Sequence, residues 1–340
     1  MKRAGFLYGK ICSRDNIIES LRNASRGKSK KQAIIRVMKN TKQAYDDIER
    51  LLKTKTYIPN KYFEATIYDG LNKKERTIYK PKFFPDQIIH WCLISIIKPL
   101  IMRGMYKWSC ASLPKRGTLY AKNACEKWIR NNQKETKYCL KIDIKKFYPS
   151  INKEKLKQKF RKIIKDSDTL WLIDSIIDSH NEGLPIGNYT SQWFANFFLQ
   201  DTDHFIKNNL KIKFYIRYMD DMILFHSNKR KLREIRGQLI KKLEEEGLKT
   251  KENWQIFSVS KRRLDFCGYC FGREKTFVRK RITNRMRKRS AIFKKSPQSH
   301  TAASLMSYLG WLKHSDSYIL YKKYYAPKIK QMKRCIRNAD

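Results

Sequence analysis

Tyr218-Met219-Asp220-Asp221 sets two adjacent carboxylates between two apolar runs, Phe214-Tyr215-Ile216 and Met222-Ile223-Leu224-Phe225. Such runs read as short buried strands. In a flat strand neighbouring side chains point to opposite faces, whereas at a hairpin turn both acids approach one site. Like charges that close repel unless cations neutralise them. The segment therefore favours folds in which an acidic hairpin turn sits among buried strands and faces positive charge. A YxDD tetrapeptide alone is more often an ordinary turn, so its context decides.

A third acid has a similar setting. In Tyr138–Ile144, Leu140, Ile142 and Ile144 alternate with Lys141 and Asp143, the period of a half-buried strand. A carboxylate buried there without a partner costs several kcal/mol, so Asp143 wants a cation. An exposed strand Asp is the bland alternative. Two Mg²⁺ ions roughly 4 Å apart need at least three carboxylate oxygens, with phosphates filling the remaining positions. Asp143, Asp220 and Asp221 supply that number.

Composition says what kind of partner to expect. The 340 residues carry 76 Lys+Arg against 31 Asp+Glu, a net charge of +45. Self-repulsion of that size opposes compaction, and a polyanion is the simplest reason to carry it. The charge is interleaved with 19 Tyr and 17 Phe, which can stack on bases or sugars. The longest apolar run, Ile88–Ile97, is interrupted by His90 and Ser95 and is too short to span a bilayer. Met1-Lys2-Arg3 leads into no apolar segment of signal-peptide length. Eight scattered Cys suggest a reduced, cytoplasmic protein, and the lone CxxC at Cys267 and Cys270 lacks the second ligand pair of a zinc site.

The chain reads as α+β. Residues 1–60 are expected to be mostly helical. A hairpin is expected over Tyr68–Tyr79, with Asp69-Gly70 and Asn72 as turn residues. A buried helix is expected over Gln87–Leu100, ending at Lys98-Pro99, and another near Ala121–Asn132. A helix from Gln192 to about Asn208 would be capped by Thr190 or Ser191. A charged amphipathic helix runs over Lys229–Gly247 and is closed by its glycine. Residues 271–340 carry nineteen Lys/Arg and three acids, Glu274, Asp316 and Asp340, and read as a basic helical segment that grips phosphates.

These segments, in this order, resemble bacterial reverse transcriptases over roughly residues 60–320. Lys141-Ile142-Asp143-Ile144-Lys145-Lys146-Phe147-Tyr148-Pro149-Ser150-Ile151 resembles motif A, and Gly183-Leu184-Pro185-Ile186-Gly187-Asn188-Tyr189-Thr190-Ser191-Gln192 resembles motif B. Arg217 to Asp221 resembles motif C, Gly247-Leu248-Lys249-Thr250-Lys251 motif D, and Asp265-Phe266-Cys267-Gly268-Tyr269 the primer-grip hairpin. The resemblance implies a right-hand polymerase: helical region and fingers over 1–135, an antiparallel-sheet palm over 136–270, and a basic helical thumb over 271–340. It implies Mg²⁺ (or Mn²⁺) at Asp143, Ile144, Asp220 and Asp221, and RNA template, cDNA or primer, and dNTPs as partners, with no membrane.

Residue roles follow from the resemblance in the same way. Tyr148 is the steric gate against a ribose 2′-hydroxyl, with Phe147 as the competing ring. Lys74 and Arg76 clamp the triphosphate. Ile186 and Gly187 line the nucleotide site. Lys251, or equally Lys249, protonates pyrophosphate. Phe266, Cys267, Gly268 and Tyr269 grip the primer. Ser191 and Gln192 contact template or cap their helix, and His314 touches nucleic acid or is merely a surface residue.

Motif B reads LPIGNYTSQ, where many reverse transcriptases place Gln after the Pro. Together with Ser109-Cys110-Ala111, Lys115-Arg116-Gly117-Thr118 and Ser307-Tyr308-Leu309-Gly310-Trp311-Leu312-Lys313-His314 it looks like the branch in diversity-generating retroelements. Those enzymes are bacterial or phage-encoded, copy a template-repeat RNA with errors at adenine, and work with a small basic accessory protein. Tyr189, where Leu is common, is a conservative departure. The alternatives are a group II intron-like or retron-type enzyme, a non-catalytic RNA-binding protein or maturase, and an RNA-dependent RNA polymerase. The bulky aromatic at the gate disfavours the last.

Overall fold

The computed structural model describes residues 2–69 and 74–338. The expected turn at Gly70 and Asn72, the side chain of Lys74, and Asp340 lie outside the described residues. Contacts divide the chain into two compact units. One comprises Met1–Ser112, Asp143–Leu210 and Gly237–Glu252, and the other Leu113–Ile142, Lys211–Arg236 and Asn253–Asp340.

The first unit is built around the helix Ile88–Arg103, where Ile88, Ile89, Cys92, Leu93, Ile94, Ile97 and Ile101 are all buried. A helix apolar nearly all round is a core helix. The helices Arg14–Ser25 and Tyr189–Phe198 pack on it, and Trp91 stacks on Tyr189 with ring centroids 4.1 Å apart. The helix does not stop at Lys98-Pro99 but continues through Pro99 to Arg103. Proline removes one hydrogen bond at a cost of about 3 kcal/mol. Burial of Ile97 and Ile101 on either side offsets it, at roughly 1.5–3 kcal/mol per side chain. His90 lies wholly inside, and burial drives its pKa down to about 3.

A finger-like hairpin also belongs to this unit. Its strands, β1 (Phe63–Asp69) and β2 (Lys74–Lys80), begin earlier than expected and pair antiparallel from Phe63↔Lys80 to Asp69↔Lys74. The motif B helix starts at Tyr189, so Thr190 and Ser191 are not caps. Asn188 holds the cap position, but its Nδ2 donates to the Tyr62 hydroxyl at 2.8 Å rather than capping through its side chain. Thr190 and Ser191 turn inward and are buried. The helix breaks at Leu199, and helical turns then continue to Asn209, close to the expected Asn208. A short helix, Gln200–His204, and one wide turn, Phe205–Asn209, follow.

The second unit carries two sheets. In one the strand order is β4 (Phe214–Tyr218), β5 (Asp221–His226), β3 (Tyr138–Asp143), β6 (Gln255–Ser258). The helix Thr118–Asn131 packs on β4, with Trp128 and Phe214 rings 5.4 Å apart. The other sheet is β7 (Leu264–Phe266), β8 (Tyr269–Phe271) and β9 (Thr276–Val278), so the basic segment opens with a strand before becoming helical at Lys280. From there helices run to Arg337 around Met286, Phe293, Leu305, Tyr325 and Met332, and the Tyr325 hydroxyl donates to the Leu305 carbonyl at 2.9 Å. Among the described residues no helix is long and apolar enough to cross a membrane.

His90 makes the first unit acid-sensitive. Its folded pKa of about 3 lies below the ordinary value of 6.5, so the stability it carries is present above 6.5 and is lost as pH falls toward 3. Stability followed by urea unfolding at a series of pH values should fall less steeply in His90→Gln. The difference in slope should be about 1.4 kcal/mol per pH unit between the two pKa values. Identical slopes would mean that His90 titrates normally.

Candidate active site

Motif A ends its strand at Asp143, and motif D is zipped alongside. Lys145 N–H donates to the Lys249 carbonyl at 2.7 Å, Lys251 N–H donates to the Asp143 carbonyl at 2.8 Å, and Ile144 bridges Thr250 between them. This register brings the Lys251 ammonium onto the Asp143 carboxylate. Lys249 is exposed. Of the two lysines left open by the sequence, Lys251 is therefore the one at the acid.

The motif C hairpin pairs Tyr218 with Asp221, which leaves Met219-Asp220 as a two-residue turn. Met219 has a left-handed φ of 56°, a conformation usually left to Gly or Asn, and such strain costs of order 1–3 kcal/mol. Arg217 helps to hold it. The side chain is fully buried, and Nη1 donates to the Met219 carbonyl at 3.0 Å. Asp220 and Asp221 are half-buried at this turn. The Lys141 ammonium stands 3.3 Å from Asp221 and donates to the Asp265 carbonyl of β7 at 2.7 Å. It thus ties the acidic hairpin to β7. Sequence reading missed Arg217 and Lys141 as site residues. The signals were a lone charge in an apolar strand and a lysine two residues from Asp143 on the same strand face.

In motif B two glycines explain the loop. Gly183 has φ +46°, and a Cβ there would lie 2.3 Å from the Tyr148 carbonyl. Leu184 N–H donates to that same carbonyl at 2.9 Å, so motif B is fastened to the turn that carries Tyr148. Phe147 is buried and Tyr148 half-exposed, which leaves Tyr148 as the ring able to meet a ligand. Gly187 has φ +114°, and a Cβ there would approach the Tyr79 carbonyl at 2.9 Å. The Ile186 carbonyl accepts from Tyr79 N–H at 2.7 Å, so the loop lies against β2, the strand that also carries exposed Arg76. The tight backbone approach at Gly187 is to the chain's own strand. Ile186 is half-buried and Gln192 exposed.

The segment Asp265 to Tyr269, expected to grip the primer, is a hairpin with Phe266↔Tyr269 paired and Cys267-Gly268 at the turn, φ 49° and 84°. Arg279 N–H donates to the Gly268 carbonyl at 2.9 Å, and its guanidinium pairs with Asp265. Trp311 covers the turn, its ring centroid 5.1 Å from that of Tyr269. His314, half-exposed, follows the helix Leu309–Lys313 as its C-cap.

The donors fit a hard divalent cation. Carboxylate oxygens are the ligands such ions take, and the two lysine ammonium groups mark Asp143 and Asp221 as positions where positive charge is held. Among the described residues no three His, Cys, Asp or Glu side chains form a ready cluster. Mg²⁺ rarely uses an all-protein cage. It takes one or two carboxylates and completes its shell with substrate phosphates and water.

The family model described as reverse transcriptase (RNA-dependent DNA polymerase) matches residues 72–271, more than half of the chain, and the chain belongs to that family. With its antiparallel sheets this gives it the fold class of right-hand polymerases. Among curated proteins it is 29% identical over 162 residues to the Retron Ec73 reverse transcriptase of Escherichia coli, covering 44% of this chain and 48% of the relative. It is 27% identical over 169 residues to the Retron Se72 reverse transcriptase of Salmonella heidelberg (strain 579083-10), covering 48% of this chain and 41% of the relative. The chain thus spans about half the length of the curated relatives it matches. Among solved structures, apo telomerase from Candida tropicalis truncated from its C-terminal domain matches at 14% identity and a TM-score of 0.48. That match covers 68% of this chain and 59% of the other.

The grip turn should tolerate no side chain at Gly268, where a Cβ would lie 2.4 Å from the Trp311 ring and φ is +84°. Gly268→Ala should lower the free energy of unfolding by roughly 2–4 kcal/mol, from strain plus overpacking. Gly9→Ala, with nothing within 4 Å of its Cβ, should not lower it. Urea titration of both variants checks this.

Proposed function

We propose that this chain is an RNA-directed DNA polymerase that extends a primer 3′-hydroxyl with dNTPs on an RNA template. One observation carries the reading. In a chain of this family, β3, which ends in Asp143, is the hydrogen-bonded sheet neighbour of β5, which opens with Asp221. Asp143, Asp220 and Asp221, with Ile144 beside them, would hold Mg²⁺, for which Mn²⁺ can substitute. Bound there, such ions lower the pKa of the attacking hydroxyl and take up charge on the phosphates.

The chain's own residues do the rest. The primer oxygen bonds to the α-phosphorus as the bond to the β-phosphate oxygen breaks and pyrophosphate leaves. Lys251 carries the proton for that leaving group. Arg76 and Lys74 bind the triphosphate. Tyr148 fills the space of a 2′-hydroxyl, and Ile186 and Gly187 flank the nucleotide. The hairpin Phe266 to Tyr269, where Cys267 is half-exposed, would hold the primer, and exposed Gln192 and half-exposed His314 lie toward nucleic acid, whereas Ser191 is buried and is withdrawn from that role. The division into fingers (1–135), palm (136–270) and thumb (271–340) belongs to the same proposal.

Primer extension tests it. Asp143→Asn or Asp220→Asn should lower dNTP incorporation on the order of a thousandfold, about 4 kcal/mol of transition-state stabilisation. RNA affinity, set by basic surface, should barely change. Near wild-type extension by Asp143→Asn would refute the assignment.

Two finer roles each have support. The names of the two relatives favour a retron-type enzyme. Ile186 favours the second, an error-prone enzyme of a diversity-generating retroelement assisted by a small basic protein. A Gln at that slot can tie the nucleotide into a hydrogen-bonded network, whereas Ile has no polar handle. One positioned hydrogen bond carries about 1 kcal/mol, and 1.4 kcal/mol of lost discrimination is about tenfold in error. Sequencing of cDNA from a defined RNA separates the two. Error concentrated opposite adenine, and reduced in Ile186→Gln, is the outcome expected of the second role. Low, even error across the four bases assigns the retron-type role.

A further inference from the structure

The second unit holds a cavity of about 680 Å³ between the segment entering β7 and the turn joining β8 to β9. Its lining includes Lys261, Arg262, Arg263, Arg273 and Lys275 against one acid, Glu274. Because β7 and β8 pair as Leu264↔Phe271 and Phe266↔Tyr269, this cavity opens at the end of the small sheet opposite the Cys267-Gly268 turn. It is therefore away from the Cys267-Gly268 turn, and none of the individual site residues named above lines it.

The three arginines here are oriented by their neighbours. Arg263 lies over the Phe277 ring at 4.6 Å and Arg262 over Phe257 at 4.9 Å. Stacking fixes the plane of a guanidinium and leaves its N–H edges for an oxyanion. Arg273 is committed to the fold. Nη1 donates to the Ile129 carbonyl at 2.9 Å and the Thr136 hydroxyl at 2.7 Å, and Nη2 donates to the Thr136 carbonyl at 3.0 Å. It anchors the wall while contributing its charge. Lys261, Arg262, Arg263 and Lys275 are exposed.

What would sit there is constrained by what the cavity lacks. Phe257 and Phe277 each have a face covered by a guanidinium, which leaves those faces unavailable to a base. Four exposed cations on an open wall match successive phosphates of a backbone better than a single phosphate group. Arginine forks bind phosphate oxygens bidentately. We propose that this cavity is a docking site for the phosphodiester backbone of folded RNA, read by shape and charge without base contacts. On the function proposed above, the RNA segment held here is not the stretch being copied, so one chain can retain a structured RNA while extending on another part of it.

The test uses the full chain and a blunt RNA hairpin of defined sequence, with no dNTP and no extendable primer. Affinity is measured across a salt series for wild type and for the triple variant Lys261→Gln, Arg262→Gln, Lys275→Gln. A control triple, Lys229→Gln, Arg233→Gln, Lys241→Gln, removes the same charge from exposed positions on the helix Lys229–Glu245. At roughly 0.9 per phosphate contact, the log–log salt slope should fall by about two to three in the cavity variant. Its affinity should drop at least about tenfold below that of the control. Glu274→Gln should raise affinity by roughly threefold. Primer extension on a pre-annealed short primer–template at saturation should be unchanged by all three. Equal losses in the two triple variants would overturn the proposal. So would displacement of the hairpin by polyglutamate as readily as by unlabelled hairpin, which would point to an acidic protein instead.

Discussion

The pairing of a lysine with each strand-end carboxylate is the interaction on which the arrangement around motifs A, C and D depends. Asp143 and Asp221 are both half-buried, where an uncompensated negative charge costs several kcal/mol. Each is met by an ammonium within its own unit. Lys251 reaches Asp143 because motif D runs antiparallel to the residues just past β3. Lys141 reaches Asp221 from the neighbouring strand of the sheet. Neither pair is a tight structural ion pair of the core, since all four side chains keep about a quarter to a third of their surface exposed. Partly exposed charges of this kind are exchangeable, which suits the divalent-cation role proposed for these carboxylates.

Backbone geometry supplies the rigidity that these pairs lack. Met219 is held left-handed under the grip of buried Arg217, and Cys267 and Gly268 are both left-handed under Trp311. Gly183 admits the Tyr148 carbonyl, and Gly187 admits that of Tyr79. In each case a turn carrying candidate site residues is pinned by a backbone carbonyl, an arginine or a large ring. Local strain of order 1–3 kcal/mol persists only where surrounding contacts over-determine it. These turns have that support.

Much of this was legible in the residues. The period-two alternation through Leu140, Ile142 and Ile144 and the apolar runs flanking Asp220 and Asp221 are short-range signals, and strands formed there. Pro99 misled because its local cost is outweighed by burial of Ile97 and Ile101, a term that belongs to the packed core. The cap at Thr190 or Ser191 failed for a related reason. Asn188, two residues before Thr190 and three before Ser191, holds the cap position and is drawn to the Tyr62 hydroxyl from more than a hundred residues away. The strand order β4-β5-β3-β6 and the choice of Lys251 over Lys249 both depend on long-range register, which no window of sequence encodes.

The excess of positive charge divides by how it is restrained. Some cations are neutralised locally: Lys159 is buried between Asp201 and Glu246, and Lys157 bridges Glu154 and Asp178. Others are oriented on aromatic faces without a carboxylate, as Arg262 and Arg263 are. The first kind lowers self-repulsion and allows the helices to pack. The second kind keeps its full charge while losing conformational freedom, so less entropy remains to be lost when an anion binds. Pre-ordered, uncompensated charge opposes folding and has no benefit to an isolated chain. Two such arginines beside the exposed Lys261 and Lys275, at the end of the small sheet opposite the Cys267-Gly268 turn, are what a phosphate-bearing contact at that cavity would require.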